Sequence, residues 1–216
     1  MITTFLTLFF PFLALASQYN ISSAPFHLVL QCSEDPTLNG KPLAACHTGV
    51  TIESLCVPQP GSGRYEPAAV LYHNTSIQVE ANVTTPHQYP QLDDAMQWGT
   101  RGILTWLMPF QPHPIPSAMT LLPETLVDIA IPIIRMHDLG TMISFDSNDM
   151  FVLQNLIDWE AEVPGFAAWK GYVRWWVCVT FVGTGYVRRN LVWGTGLGRP
   201  DLESCVKVDV KRVFID

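Results

Sequence analysis

The strongest constraint on this chain is a pattern near its C-terminus. Val206, Val208 and Val210 alternate with Lys207, Asp209 and Lys211. Strict period-two alternation puts the valines on one side of an extended backbone and the charges on the other, as in a strand with one buried and one wet face. The preceding stretch agrees. Tyr172 to Phe181 is dense in aromatic and β-branched residues, Gly183-Thr184-Gly185 supplies a turn, and Tyr186 to Trp193 returns. Gly194-Thr195-Gly196-Leu197-Gly198 imitates a phosphate loop, but it opens no helix and is read as a hairpin loop.

The same texture runs through the rest of the chain. Phe26 to Leu30, Gly102 to Leu107, Val127 to Pro132 and Met142 to Asp146 read as further strands, and Asn39-Gly40 is a strong turn signal. Only Asn148 to Glu162 could hold a short helix, and it reads equally as strand and loop. Pro58 to Asp94 carries Gly, Pro and Ser and is expected to be a long loop. Many short strands with regular turn signals predict an all-β fold, an antiparallel β-sandwich of jelly-roll-like type with few or no helices. One domain over residues 17–216 is expected. Composition supports this: only 14% of the residues are charged and 17 are prolines, which disfavours long solvent-facing helices. The net charge of −7 argues against nucleic acid, whose affinity comes from clustered Lys and Arg.

Residues 1–16 read as a signal peptide. The apolar run Phe5 to Ala16 is shorter than the roughly 20 residues a membrane helix needs. It ends in Ala14-Leu15-Ala16, a small-x-small cleavage pattern, although the n-region lacks Lys and Arg. The mature chain is expected to start near Ser17, to be secreted, and to have no membrane insertion after cleavage. Asn20-Ile21-Ser22, Asn74-Thr75-Ser76 and Asn82-Val83-Thr84 are N-glycosylation sequons.

Export would bring Cys32, Cys46, Cys56, Cys178 and Cys205 into an oxidising compartment. An odd count leaves five choices of orphan and three pairings of the remainder. Cys46 and Cys56 bracket a turn-rich segment, and Cys178 and Cys205 each sit in a β-patterned run. This favours bridges 46–56 and 178–205, with Cys32 left as a free or intermolecular thiol.

The chain resembles a family of uncharacterised secreted fungal proteins, of ascomycete type. The resemblance rests on Leu38-Asn39-Gly40, Ala45-Cys46-His47-Thr48-Gly49, Ile52-Glu53-Ser54-Leu55-Cys56 and Gly102 to Trp106. Pro116 to Met119, Arg174 to Cys178 and Cys205 to Val210 extend it. It implies secretion, a β-sandwich-like body and the cysteines at 46, 56, 178 and 205. Cys32 departs from that pattern. No activity or catalytic residue comes with the resemblance.

Carboxylates, histidines and tryptophans are the side chains that could carry chemistry. Glycoside hydrolysis needs two carboxyl groups flanking one bond, and Glu53, Asp146, Asp149, Asp158, Glu160 and Asp209 are the candidates. Asp158 and Glu160 would share a face if extended. Trp175 and Trp176 are adjacent, so on a strand one faces the core and the other outward. Trp159 and Trp169, in a less regular region, are the candidate sugar-stacking residues. No H-E-x-x-H, G-x-S-x-G or C-x-x-C motif occurs, so neither a catalytic set, a metal site nor a cofactor is assigned. Asp146-Ser147-Asn148-Asp149 lacks the Gly and Glu of a calcium loop and reads as a polar turn. The expectation is a secreted glycoprotein that binds without catalysis, with cell-wall or environmental glycans, or an extracellular protein, as partner. The alternatives are a polysaccharide-active hydrolase or lyase, and an effector engaging a host or competitor protein. An acid pair facing one groove beside tryptophan would favour the enzyme.

Overall fold

A computed structural model describes residues 19–59, 66–76, 98–158, 160–163, 165–182 and 186–215. The segment read as a signal peptide, the Asn82 sequon, Trp159 and the Gly183–Gly185 turn lie outside the described residues. Among the described residues there is no helix; none, therefore, is long and apolar enough to cross a membrane.

Among the described residues, fifteen strands form one hydrogen-bonded network in which every pairing is antiparallel. The first five are β1 (Ile21–Ser22), β2 (Phe26–Gln31), β3 (Ala44–Gly49), β4 (Ile52–Cys56) and β5 (Leu71–Thr75). Next come β6 (Gly102–Met108), β7 (Ile115–Pro123), β8 (Ile129–Arg135), β9 (Met142–Phe145) and β10 (Phe151–Asp158). The last are β11 (Gly165–Tyr172), β12 (Trp175–Val182), β13 (Tyr186–Gly194), β14 (Val206–Lys207) and β15 (Asp209–Phe214). The main ladder runs β11-β10-β9-β6-β7-β8-β4-β13-β12-β14, and β5 links β6 to β2, which pairs with β15. This is the all-β antiparallel fold expected from the sequence, consistent with a β-sandwich.

The core is built from the inward residues of strands that share no ladder. Phe151 of β10 stacks on Trp175 of β12 with ring centroids 4.6 Å apart and planes 8° apart. The Trp175 indole N–H donates to the Phe151 carbonyl at 2.7 Å. Phe145 continues the stack beyond Phe151, and Trp193 meets Trp175 edge-to-face. Trp176, its neighbour in sequence, is only half-buried and lies under the Lys207 ammonium, so the two indoles do face opposite ways.

Several elements differ from the sequence reading, each for a local reason. The Val206–Lys211 alternation holds, with Val208 and Val210 almost fully buried, but the run is two strands. Val206 and Lys207 pair with β12, whereas Asp209 to Phe214 pair with β2. Gly194 to Gly198 is no hairpin loop: β13 and β14 flank β12 on opposite sides, so the connection crosses over it. Asn148 to Glu162 contains β10, not a helix, because β9 and β11 offer ladders on both edges. Leu71 to Thr75, inside the expected long loop, is β5 and pairs with β1, β2 and β6. The strand expected from Val127 starts at Ile129 as β8, and Ile129 to Ile134 is buried at every position, so neither face of that stretch is wet. Pro132, which has no N–H, sits where the β8 edge changes partner from β13 at Ala130 to β4 at Ile133.

Candidate functional site

The site grows out of the β3–β4 hairpin. Ala44, Cys46 and Thr48 turn inward, while Ala45 is half-buried and His47 exposed on the other face. A two-residue turn, Val50-Thr51, reverses the chain, with Thr51 at φ 58°. The register then sets His47 opposite Glu53, and His47 Nδ1 lies 3.2 Å from Glu53 Oε1. On the inward face Cys46 is bonded to Cys56. The hairpin is anchored from behind by a buried polar chain: Ser54 Oγ donates to Asn190 Oδ1 and Asn190 Nδ2 donates to Thr180 Oγ1, both at 2.8 Å.

Two further segments close a cleft of about 320 Å³ over the face that carries Ala45, His47 and Glu53. Glu66 to Ala69 runs beside β3, fixed by the Ala44–Ala68 bridge. Trp106, half-buried on β6, and Pro109 complete the lining. Glu66 is paired with the Arg188 guanidinium of β13, and its carboxylate lies within 4.8 Å of the sulfurs of Cys46 and Cys56. Those sulfurs are in a disulfide and offer no thiolate, so this trio is not a metal site. Glu66 Oε2 is buried and accepts no hydrogen bond among the described residues.

Electrostatics separates the two acids. Burial raises the Glu53 carboxyl above the ordinary carboxylate range, and the charge of Glu66 pushes the same way. The hydrogen bond from His47 and the positive charges of His47 and Arg188 pull it partly back. Glu66 is instead held in an ion pair. The cleft thus combines one indole, apolar Pro and Ala surface, an imidazole and two carboxyl groups in different environments. Such a set can accept hydrogen bonds from hydroxyl groups while covering an apolar face.

The sequence candidates are distributed differently. Glu53 and His47 reach the cleft. Asp158 and Glu160 do come together, but around Lys170, at 2.7 and 3.0 Å, and Glu160 also meets Arg174 at 3.2 Å. The Lys170 hydrogen bond is the main reason both carboxyls titrate below their ordinary range. Asp146 Oδ1 accepts the N–H groups of Asn148 and Met150 at 2.8 and 2.9 Å, closing a polar turn, and Asp149 pairs with Arg212. Trp169 is half-buried on β11 beneath the Arg101 guanidinium, 4.1 Å from its ring centroid, away from the cleft. Asn20 is exposed. Asn74 lies in β5, and its Oδ1 accepts from Ser22 Oγ at 3.0 Å. Cys178 is bonded to Cys205, and Cys32 is a buried free thiol.

Nothing in the sequence marks Glu66, Trp106 or Arg188 as partners of His47 and Glu53. Only the hairpin spacing of His47 and Glu53 was readable, since opposed residues of a tight hairpin must meet. Searches of family models, curated proteins and solved structures return no match to this chain.

Proposed function

We propose that this is a secreted, N-glycosylated protein that binds glycan in the cleft between the β3–β4 hairpin and Trp106. The observation that carries the reading is the convergence of Glu53, Glu66, His47 and Trp106 on the lining of one cleft. An indole packs against the apolar face of a pyranose ring, and carboxylate and imidazole groups bond its hydroxyls. The two disulfides are compatible with an oxidising extracellular setting. With a net charge of −7, the partner is an uncharged or cationic glycan, and nucleic acid is disfavoured.

A second reading, polysaccharide hydrolysis, is favoured by one specific observation. Two carboxyl groups share the cleft in unlike environments, Glu53 raised by burial and Glu66 paired with Arg188, the kind of asymmetry that separates a general acid from a charged partner. Both readings meet the same experiment. The secreted mature chain is applied to an array of cell-wall polysaccharides, and the supernatant is assayed for new reducing ends. Binding that Trp106→Ala reduces at least tenfold, without new reducing ends, is the expected result. Cleavage lost in Glu53→Gln would establish the hydrolase instead. No binding to any glycan overturns both.

A further inference from the structure

A second cavity opens on another part of the molecule, and nothing in the proposed glycan site uses it. It measures about 330 Å³, within the range of small-molecule sites. Its walls come from β7, β10, β11 and β13, so it lies where strands distant in the ladder face one another. Leu153, Tyr172 and Trp193 form its inner wall, each less than a tenth exposed. They line an opening instead of filling it with their own side chains, unlike the close packing of Phe151 and Trp175 beside them. Leu121 adds to the apolar lining, and Asn155 and Thr195 stand exposed at the rim.

The charges around the cavity are already matched. Arg174 is its only ionisable cation among the described lining residues. Its guanidinium donates to Gly196 O and to Glu160 Oε1, each at 3.2 Å, and lies 5.2 Å from the Tyr172 ring centroid. The Tyr172 hydroxyl donates to Ile157 O at 2.8 Å, so its ring presents carbon, not oxygen, to the cavity. An anionic ligand would have to displace Glu160, whereas an uncharged one displaces only water.

We propose that this cavity binds a small, uncharged, mainly apolar molecule of one or two rings with a hydrogen-bonding group at one end. The rings lie against Leu153, Tyr172 and Trp193, and the polar end reaches Asn155 and Thr195. The site is independent of the glycan cleft, and either can fail alone.

The test uses the secreted protein and N-phenyl-1-naphthylamine, an uncharged two-ring fluorophore. The expected result is a saturable rise in its emission with one site per chain, and an affinity at least tenfold lower in Thr195→Trp, which fills the rim. Asn155→Trp is the second blocking variant, should the first disturb folding as judged by thermal unfolding. The sulfonated analogue 8-anilinonaphthalene-1-sulfonate should bind at least tenfold more weakly. Emission that never saturates, or that persists in both folded variants, places the probe elsewhere, such as the exposed Val179, Phe181 and Val187, and overturns the proposal. Tighter binding of the sulfonate overturns the uncharged ligand class.

Discussion

His47 Nδ1 and Glu53 Oε1 lie 3.2 Å apart because the β3–β4 ladder opposes their residues directly, so the hairpin itself fixes this side of the cleft proposed to bind glycan. Burial keeps the proton on Glu53 to higher pH than usual. Binding that uses its carboxylate should therefore weaken as pH falls through that raised value, with an inflection above 4.5. Titration calorimetry of the best array glycan between pH 4 and 7 should show it. Glu53→Gln should lower affinity about tenfold, in keeping with the loss of a charged hydrogen bond, and abolish the inflection. An unchanged affinity and profile would remove Glu53 from the site. For stability the sign is reversed: the folded state holds this proton more tightly, so ionising Glu53 costs stability as pH rises through the same window.

His73 supplies an acid-side effect of its own. It is buried on β5, its Nε2 has no hydrogen-bond partner among the described residues, and it abuts Gly102, where a Cβ would sit 2.5 Å from that nitrogen. Burial, followed by the nearby Arg212 charge, lowers its pKa from 6.5 to about 4, while a hydrogen bond with the Ile143 backbone opposes the shift. The unfolded chain then binds the extra proton between those two values. Stability contributed by the neutral imidazole is complete above 6.5 and declines by about 3 kcal/mol on reaching pH 4. Urea midpoints measured across this range should show the decline, and His73→Leu should flatten it.

How far this was legible depends on where the information lay. The β12–β13 hairpin and the inward valines of β14–β15 could be read because each pattern is local and repeats with period two. The break of the last strand at Val208 could not, since it arises from a change of partner, from β12 to β2. Likewise β5 has the composition of a loop, and it is a strand because β1 and β6 pair with it. Within the cleft, only the opposed His47 and Glu53 belong to one hairpin. Glu66 and Trp106 arrive by tertiary packing, and no spacing in the chain announces that they meet.

Trp175 is fully buried in the main core cluster. Its ring stacks on Phe151 and meets Trp193 edge-to-face, and its N–H donates to the Phe151 carbonyl. Trp175→Phe keeps an aromatic ring but leaves that carbonyl without its donor and opens a gap. A loss of about 2–3 kcal/mol is expected, combining an unsatisfied buried acceptor with a small cavity. Trp176→Phe, on the half-buried face beside Lys207, should cost under about 1 kcal/mol. Denaturant unfolding of the two variants gives the comparison directly. Equal losses would mean that the stack is not central.

The two disulfides should separate stability from function. Cys178–Cys205 spans 27 positions and ties β12 to the start of β14, whereas Cys46–Cys56 spans 10 within one hairpin. Loop-closure entropy gives about 3.6 kcal/mol for the longer crosslink and about 2.8 for the shorter. The true gap is expected to be wider, because hairpin contacts already restrict the unfolded chain between Cys46 and Cys56. The shorter bridge, however, backs the hairpin that presents His47 and Glu53, and its sulfurs lie within 4.8 Å of the Glu66 carboxylate. Replacing Cys178 and Cys205 by Ala should therefore lower the urea midpoint more, while the surviving folded protein still binds glycan. Replacing Cys46 and Cys56 by Ala should cost less stability but weaken glycan binding at least tenfold. If the second variant binds normally while folded, the disulfide is not part of what shapes the cleft.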